Sequence, residues 1–182
     1  GTTTQNIGGA VSTIFENFSI NNATGVTLST TQEVANGLFF TNGIISTGAN
    51  RLDVTTPLDS ITGYGDGKFI LGNLRRYVNT GINYHLPMGF ETNLELAEIF
   101  VSSQTGLTYV DVAFTKSIEA VPGGGLFING VAVDNLLNYG YWTFTPNAGV
   151  SAVSYHPSIY SKGHSDLGGS VELQSKHNQG TQ

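Results

Sequence analysis

The sequence predicts an all-β protein, an antiparallel β-sandwich of the jelly-roll kind, and three observations carry that reading. Apolar and polar residues alternate in short runs. Asn, Gly, Thr or Ser breaks those runs every six to ten residues, and these residues tolerate positive φ. Helical spacing appears only at Glu91, Glu95 and Glu98, and the β-branched and aromatic residues that follow (Ile99, Phe100, Val101) favour a strand there too.

The elements follow in order. Residues 1–13 are polar and glycine-rich and read as an N-terminal arm; residues 14–182 read as a single sandwich domain. From Phe15 to Val54 short strands alternate with turns at Asn21–Gly25, Asn42-Gly43 and Thr47–Asn50. Strands this short and this closely spaced also fit β-helix-like rungs, so the N-terminal third carries that second expectation. Pro57 interrupts, and a turn-rich loop places glycines at 63, 65 and 67. Lys68–Leu71, Leu74–Val78 and Tyr84–Pro87 are further strand candidates, and Leu107–Phe114 alternates well. After Pro122, Asn129-Gly130 signals a hairpin between Leu126–Ile128 and Val131–Val133. Asn138–Thr145, Val153–His156 and Ser170–Leu173 complete the strands, and the tail from Gln174 is polar.

Composition excludes several functions. Apolar residues make up 39% of the 182 residues but charged ones only 11%, so hydroxyl and amide groups must carry the surface. Such a surface suits extracellular β proteins that pack against copies of themselves or bind neutral glycans, and it offers little charge to guard strand edges. The net charge is −6 and the basic residues are scattered, Arg75-Arg76 being the one adjacent pair, which argues against nucleic acid as a partner. No apolar run is long enough to span a membrane. Cysteine is absent, as suits a secreted bacterial protein that relies on its core. Gly1–Gln5 reads as a mature or processed N-terminus.

No constellation for chemistry overlies this pattern, and the expectation is a non-enzymatic chain without cofactor or metal. His85, His156, His164 and His177 stand in no zinc spacing. Asp53, Asp59 and Asp66 near the glycine loop could offer oxygen ligands to calcium, but the alternating Asp pattern is missing and solvated turn residues are the simpler reading. Glu91, Glu95 and Glu98 form the densest acidic set, and nothing places two of them across a cleft. There is no Gly-x-Ser-x-Gly elbow, and Gly63-x-Gly65-x-Gly67 lacks the strand-to-helix setting of a phosphate loop.

Aromatic residues are the better binding candidates. In the strand around Trp142 one face must be core, so Trp142 and Phe144 are expected inside. Tyr139 and Tyr141 then face outward, where with Tyr155 or Tyr160 they could stack on sugars or on a neighbouring subunit. Asn17 and Asn22 begin Asn-x-Ser/Thr triplets, which read as incidental.

Asn17–Asn22, Gly25–Ser29, Thr41–Asn50, Gly72–Arg76, Tyr84–Gly89, Gly106–Tyr109 and Leu137–Asn147 together resemble a module common in large secreted surface proteins of Bacteroidetes-type bacteria. Gly-Asn-Leu-Arg-Arg and Tyr-Trp-Thr-Phe-Thr-Pro-Asn are the most specific pieces. The resemblance implies a non-catalytic extracellular or cell-surface module with a structural or adhesive role. Asp59-Ser60-Ile61 is also similar to the sequence at which such bacteria attach O-glycans, which makes Ser60 a candidate modified residue in an accessible loop.

In such modules a segment like Ser175–Asn178 is followed by further strands, whereas this chain ends at Gln182. The expectation is a sandwich short of one strand, completed by an extended segment of another copy. Thr2, Thr4, Ile7, Val11 and Ile14 would line that donated arm. Donor and acceptor lie at different places on one subunit, so the contact would propagate into a homopolymeric fibre. The alternative from a different class is a carbohydrate-binding or adhesion module of a larger secreted protein.

Overall fold

The computed structural model describes residues 1–116, 127–128, 131–132 and 140–160, and every regular element among them is a strand. In order these are β1 (Gln5–Ile7), β2 (Ile14–Asn21), β3 (Val26–Leu28), β4 (Gln32–Asn42), β5 (Ile45–Ser46), β6 (Leu52–Val54), β7 (Ile61–Thr62) and β8 (Ile70–Leu71). Then come β9 (Asn73–Tyr77), β10 (Asn83–Phe90), β11 (Asn93–Thr105), β12 (Tyr109–Thr115), β13 (Phe127–Ile128), β14 (Val131–Ala132), β15 (Tyr141–Pro146) and β16 (Ala152–Tyr160).

The all-β class is as expected, and the antiparallel jelly roll is corrected. The chain winds from one sheet to the other, so that the first sheet runs β1-β3-β5-β8-β10-β11-β16 and the second β15-β12-β9-β6-β4-β2, with β7 beside β4. Every pairing from β1 through β10 is parallel. This is a β-solenoid. The rungs expected in the first third therefore extend much further, and antiparallel pairing begins only at β10–β11 and β9–β12, continuing to β15 and β16. The glutamates at helical spacing fall on a hairpin and its return strand: Glu91 lies between β10 and β11, while Glu95 and Glu98 lie within β11. Residues 5–7 of the expected arm belong to the first sheet. β13 and β14 pair antiparallel, as Asn129-Gly130 predicted; the strand expected at Ser170–Leu173 lies outside the described residues.

Period-two alternation assigns faces, and parallel stacking turns each inward position into a column. In the first sheet Val26, Ile45, Ile70 and Met88 lie in register, all nearly or fully buried. In the second, Leu52, Leu74 and Val112 make one column, and Val34, Val54, Arg76 and Val110 another. The columns meet in a single core, each apolar side chain adding about 1.5–3 kcal/mol by leaving water.

The asparagine-rich turns are corners rather than hairpins, and their amides tie coil to coil. Asn50 Nδ2 donates to Leu28 O, 22 residues back, and Asn73 Nδ2 to Asn50 O, 23 residues back. Buried Asn22 donates to Thr3 O and Gly25 O and accepts from Thr24. Coils approach so closely here that Gly43, at φ 96°, would place a Cβ 1.8 Å from Asn22 O.

Arg76 interrupts its column of valines. It is fully buried, and its Nη1 donates to Val54 O at 3.2 Å and Thr56 O at 2.7 Å while Nη2 donates to Leu58 O. The guanidinium lies 4.8 Å from the Tyr84 ring, whose hydroxyl donates to Pro57 O. Burial pushes its pKa down to about 10. Arg76 thus acts as an internal cross-tie for the loop after β6, which lacks a ladder of its own.

Two outcomes test this account. Gly43→Ala should cost at least 2 kcal/mol in urea unfolding, because strain and collision act together, whereas Gly48→Ala, at φ 57° with open space around it, should cost about 1 kcal/mol. Arg76→Met should cost about 3 kcal/mol by stripping the donors from the loop carbonyls, with Arg76→Lys recovering part. A more stable Arg76→Met protein would show that desolvation of the guanidinium outweighs its bonds.

Candidate functional site

Three surfaces combine exposure with chemistry. The first is the pair of ends. β1 and β2 close one end of the two sheets and β16 and β15 the other, and no strand among the described residues pairs with their outer edges. β2, Ile-Phe-Glu-Asn-Phe-Ser-Ile-Asn, carries one charge, and β16, Ala-Val-Ser-Tyr-His-Pro-Ser-Ile-Tyr, none apart from His156. Apolar side chains stand exposed at both ends, Ile14 at 64% and Val11 at 75% on one, Val153, Tyr155 and Ile159 at 37% each on the other.

The structure separates the five candidate arm residues. Ile7 ends β1, is partly buried, and pairs with Leu28 of its own chain. Thr4 Oγ1 donates to Thr24 O, and Thr2 is exposed. Val11 and Ile14 are exposed, the latter as the first residue of β2.

The second surface is the outer face of the first sheet. His85 on β10 and Glu98 on β11 are register partners, which sequence alone did not bring together. His85 Nδ1 lies 2.6 Å from Asp59 Oδ2, its Nε2 lies 3.4 Å from Glu98 Oε1, and its ring is 5.8 Å from that of Tyr64. Asn83 Nδ2 donates to Glu98 Oε2 at 2.6 Å. That bond, helped by the Tyr160 hydroxyl and His85, holds the Glu98 carboxyl below its ordinary value against the opposing effect of burial. The cluster pins the loop after Pro57 to the β10–β11 hairpin. Alternation marks both residues as outward-facing, but linking them requires knowing the hairpin turn, where Glu91 takes φ 55° without a glycine.

The third surface is the outer face of the second sheet. Glu33, Asp53, Arg75, Asp111 and Thr145 form one cross-strand row. Arg51 bonds Asp53 through Nε at 2.5 Å and Nη2 at 2.9 Å, and Arg75 bonds Asp111 in the same two-pronged way at 2.6 and 2.7 Å. Arg75 also covers the Tyr109 ring at 3.7 Å. Beside the row lies an open trough of about 290 Å³, bounded by Arg51, Asn73, Asp111, Ala113, Thr143 and Thr145. Tyr141, 42% exposed, pairs with Thr115 one step beyond Ala113 on the same face.

The other sequence candidates fall as follows. Trp142 and Phe144 are partly buried, stack at 5.7 Å, and pack on the core. Tyr139 lies outside the described residues, as do His164 and His177. Ser60 was expected to be accessible, and that is corrected: its Oγ is buried without a hydrogen-bond partner, because Leu38 N binds Ser60 O and draws this stretch against β4. Asp53, Asp59 and Asp66 serve three separate partners, Arg51, His85 and the amide of Leu94. Among the described residues no group of three or more His, Asp or Glu is placed to hold a metal ion.

Compared with known protein families, with curated proteins and with solved structures, the chain matches none. Its chemistry has to be read from its own surfaces.

Glu98 gives that reading a pH test. Its folded pKa is lowered, so its contribution to stability is present above the ordinary value of 4.5 and is lost as pH falls through the lowered one. Wild type should therefore exceed Glu98→Gln in urea midpoint at pH 7, and the gap should narrow progressively as pH falls below 4.5. A gap that stays constant across that range would remove the carboxylate from the account of stability.

Proposed function

We propose that this chain is a non-catalytic extracellular structural subunit that assembles with copies of itself into a surface fibre, in an adhesive or biofilm role. One observation carries the reading: among the described residues no strand pairs with the outer edges of the strands that end both sheets, and these strands carry almost no charge. An unpaired strand edge is a template for another chain, and proteins that stay monomeric guard such edges with charge, proline or a covering element. Glu16 is the one charged side chain of β2, while at the other end β16 and β15 each carry one proline, Pro157 and Pro146, and no charge apart from His156.

The two ends differ, so β1 and β2 of one copy adding beside β16 and β15 of the next make a heterologous contact. Such contacts repeat along an axis rather than closing on a pair. Main-chain hydrogen bonds would supply the affinity, and the exposed apolar side chains at the ends would add buried area. The N-terminal segment can enter in a second way. β1 is held by three register pairs to β3, and releasing it to pair in trans would convert simple addition into strand exchange. The sparse charge supports the extracellular setting.

Negative-stain microscopy and sedimentation of the purified chain should show extended particles whose length grows with concentration. Ile14→Lys and Val153→Lys, at exposed positions on opposite ends, should each leave the far-ultraviolet circular dichroism unchanged and cut fibre yield at least tenfold. Deleting residues 1–13 separates the two routes, since exchange requires β1 and edge addition through β2 does not. A wild-type chain that stays monomeric at high concentration would defeat the proposal.

A further inference from the structure

We infer that the trough on the outer face of the second sheet is a binding site for a short stretch of uncharged polysaccharide, two or three sugar residues long. This goes beyond the assembly reading and does not depend on it. The juxtaposition that carries it is a half-exposed tyrosine beside a concave, hydroxyl-lined floor on a rigid sheet.

Sugars present two surfaces to a protein, an apolar face of C–H groups and a rim of hydroxyls. Tyr141, 42% exposed on β15, offers its ring to the first. Two residues along the same strand and on the same face stands Thr143, and after it Thr145. The hydroxyls of both make no hydrogen bond among the described residues, so each can still donate and accept. Between them and Asn73 lies Ala113, whose single methyl leaves the depression open, since Ala113 pairs with Thr143 on one side and Asn73 on the other. Asn73 directs its Nδ2 to Gly48 O and Asn50 O, which fixes the amide and leaves Oδ1 as an oriented acceptor.

Charge narrows the ligand class. Asp111 gives both oxygens to Arg75, and Arg51 is committed to Asp53, so each formal charge bordering the trough is already neutralised by a neighbour. A phosphate, sulfate or uronate would have to break one of these paired contacts to be recognised. A neutral glycan needs none of them broken and can still hydrogen-bond the outer lone pairs of the carboxylate. Rigidity comes from the sheet, since Ala113 and Thr143 sit on paired central positions of β12 and β15 rather than on loops.

The test uses the full chain carrying Val153→Lys, so that assembly does not compete, with a panel of neutral hexasaccharides (cello-, laminari-, xylo-, manno- and chitohexaose) and with polygalacturonate fragments as the charged control. Titration followed by amide chemical-shift mapping should find at least one neutral oligosaccharide that binds in the micromolar to millimolar range and perturbs Ala113, Thr143 and Thr145. Tyr141→Ala should weaken that binding at least tenfold and Thr143→Val several-fold. Tyr160→Ala, on the outer face of the other sheet, should leave it unchanged. Binding by none of the panel, binding confined to polygalacturonate, or shifts that map to the Tyr160 face would each overturn the inference, and none of these results bears on whether the chain forms fibres.

Discussion

Each coil must land on the one before it in a register that keeps inward positions inward, and the rest of the molecule depends on that constraint. A slip of one residue would turn Val34, Val54 and Val110 out to water and bring Glu33, Asp53 and Asp111 into the core. The register is held from two sides. Apolar columns reward correct stacking, and the corner amides of Asn22, Asn50 and Asn73 reach back to Thr3 O, Leu28 O and Asn50 O at fixed points. Gly43 belongs to the same device, because its corner passes so near Asn22 O that no side chain fits.

Arg76 shows how the constraint is relaxed where the winding changes. β9 is the last parallel strand of the second sheet, and β12 returns antiparallel beside it. Between β6 and β9 the chain runs through the loop after Val54 and past β7 and β8. A valine at position 76 would fill the column but leave the carbonyls of Val54 and Thr56 without donors. The guanidinium supplies them at the expense of burying a charge, and Tyr84 backs it with a ring and anchors the same loop through Pro57 O. The Asp59–His85–Glu98 cluster fastens the far side of that loop from outside. That loop is therefore tied at an inner and an outer point.

Much of this was legible in the chain, and the limits have physical causes. Alternation showed which residues are strand and which faces are apolar: Trp142 and Phe144 go in and Tyr141 goes out. Alternation does not say which strand lies beside which. A turn such as Asn42-Gly43 closes a hairpin when its flanking strands pair with each other, and rounds a corner when each pairs with a strand one coil away. Only the coil-length recurrence of Leu52 with Leu74, or Val26 with Ile45, separates the cases, and uneven loops blur it. Ser60 failed for a related reason. Proline, aspartate and glycines around it read as exposed loop, while its neighbour Ile61 pairs with Leu38 and draws the serine hydroxyl into the interior. The His85–Glu98 pair depended on a turn at Glu91 that bears no glycine or asparagine to announce it.

The scarcity of charge follows from the same stacking. In parallel coils a given outward position recurs one strand spacing away, about 4.8 Å, so a charge repeated at that position faces its like. The second sheet meets this once, where Glu33 and Asp53 are neighbours, and answers with Arg51 on Asp53 and the Thr55 hydroxyl on Glu33. Elsewhere on the outer faces unlike or uncharged groups meet, as where Arg75 faces Asp111, His85 faces Glu98, Tyr77 faces Tyr109 and Ala113 lies between Asn73 and Thr143. Under the proposed assembly, the same lack of repulsion would let one molecule stack on the next. Lysines repeated along an outward column would face one another and strain the coils that carry them. The chain's low charge thus serves the internal register, and under the proposed assembly it would serve the contact between copies as well.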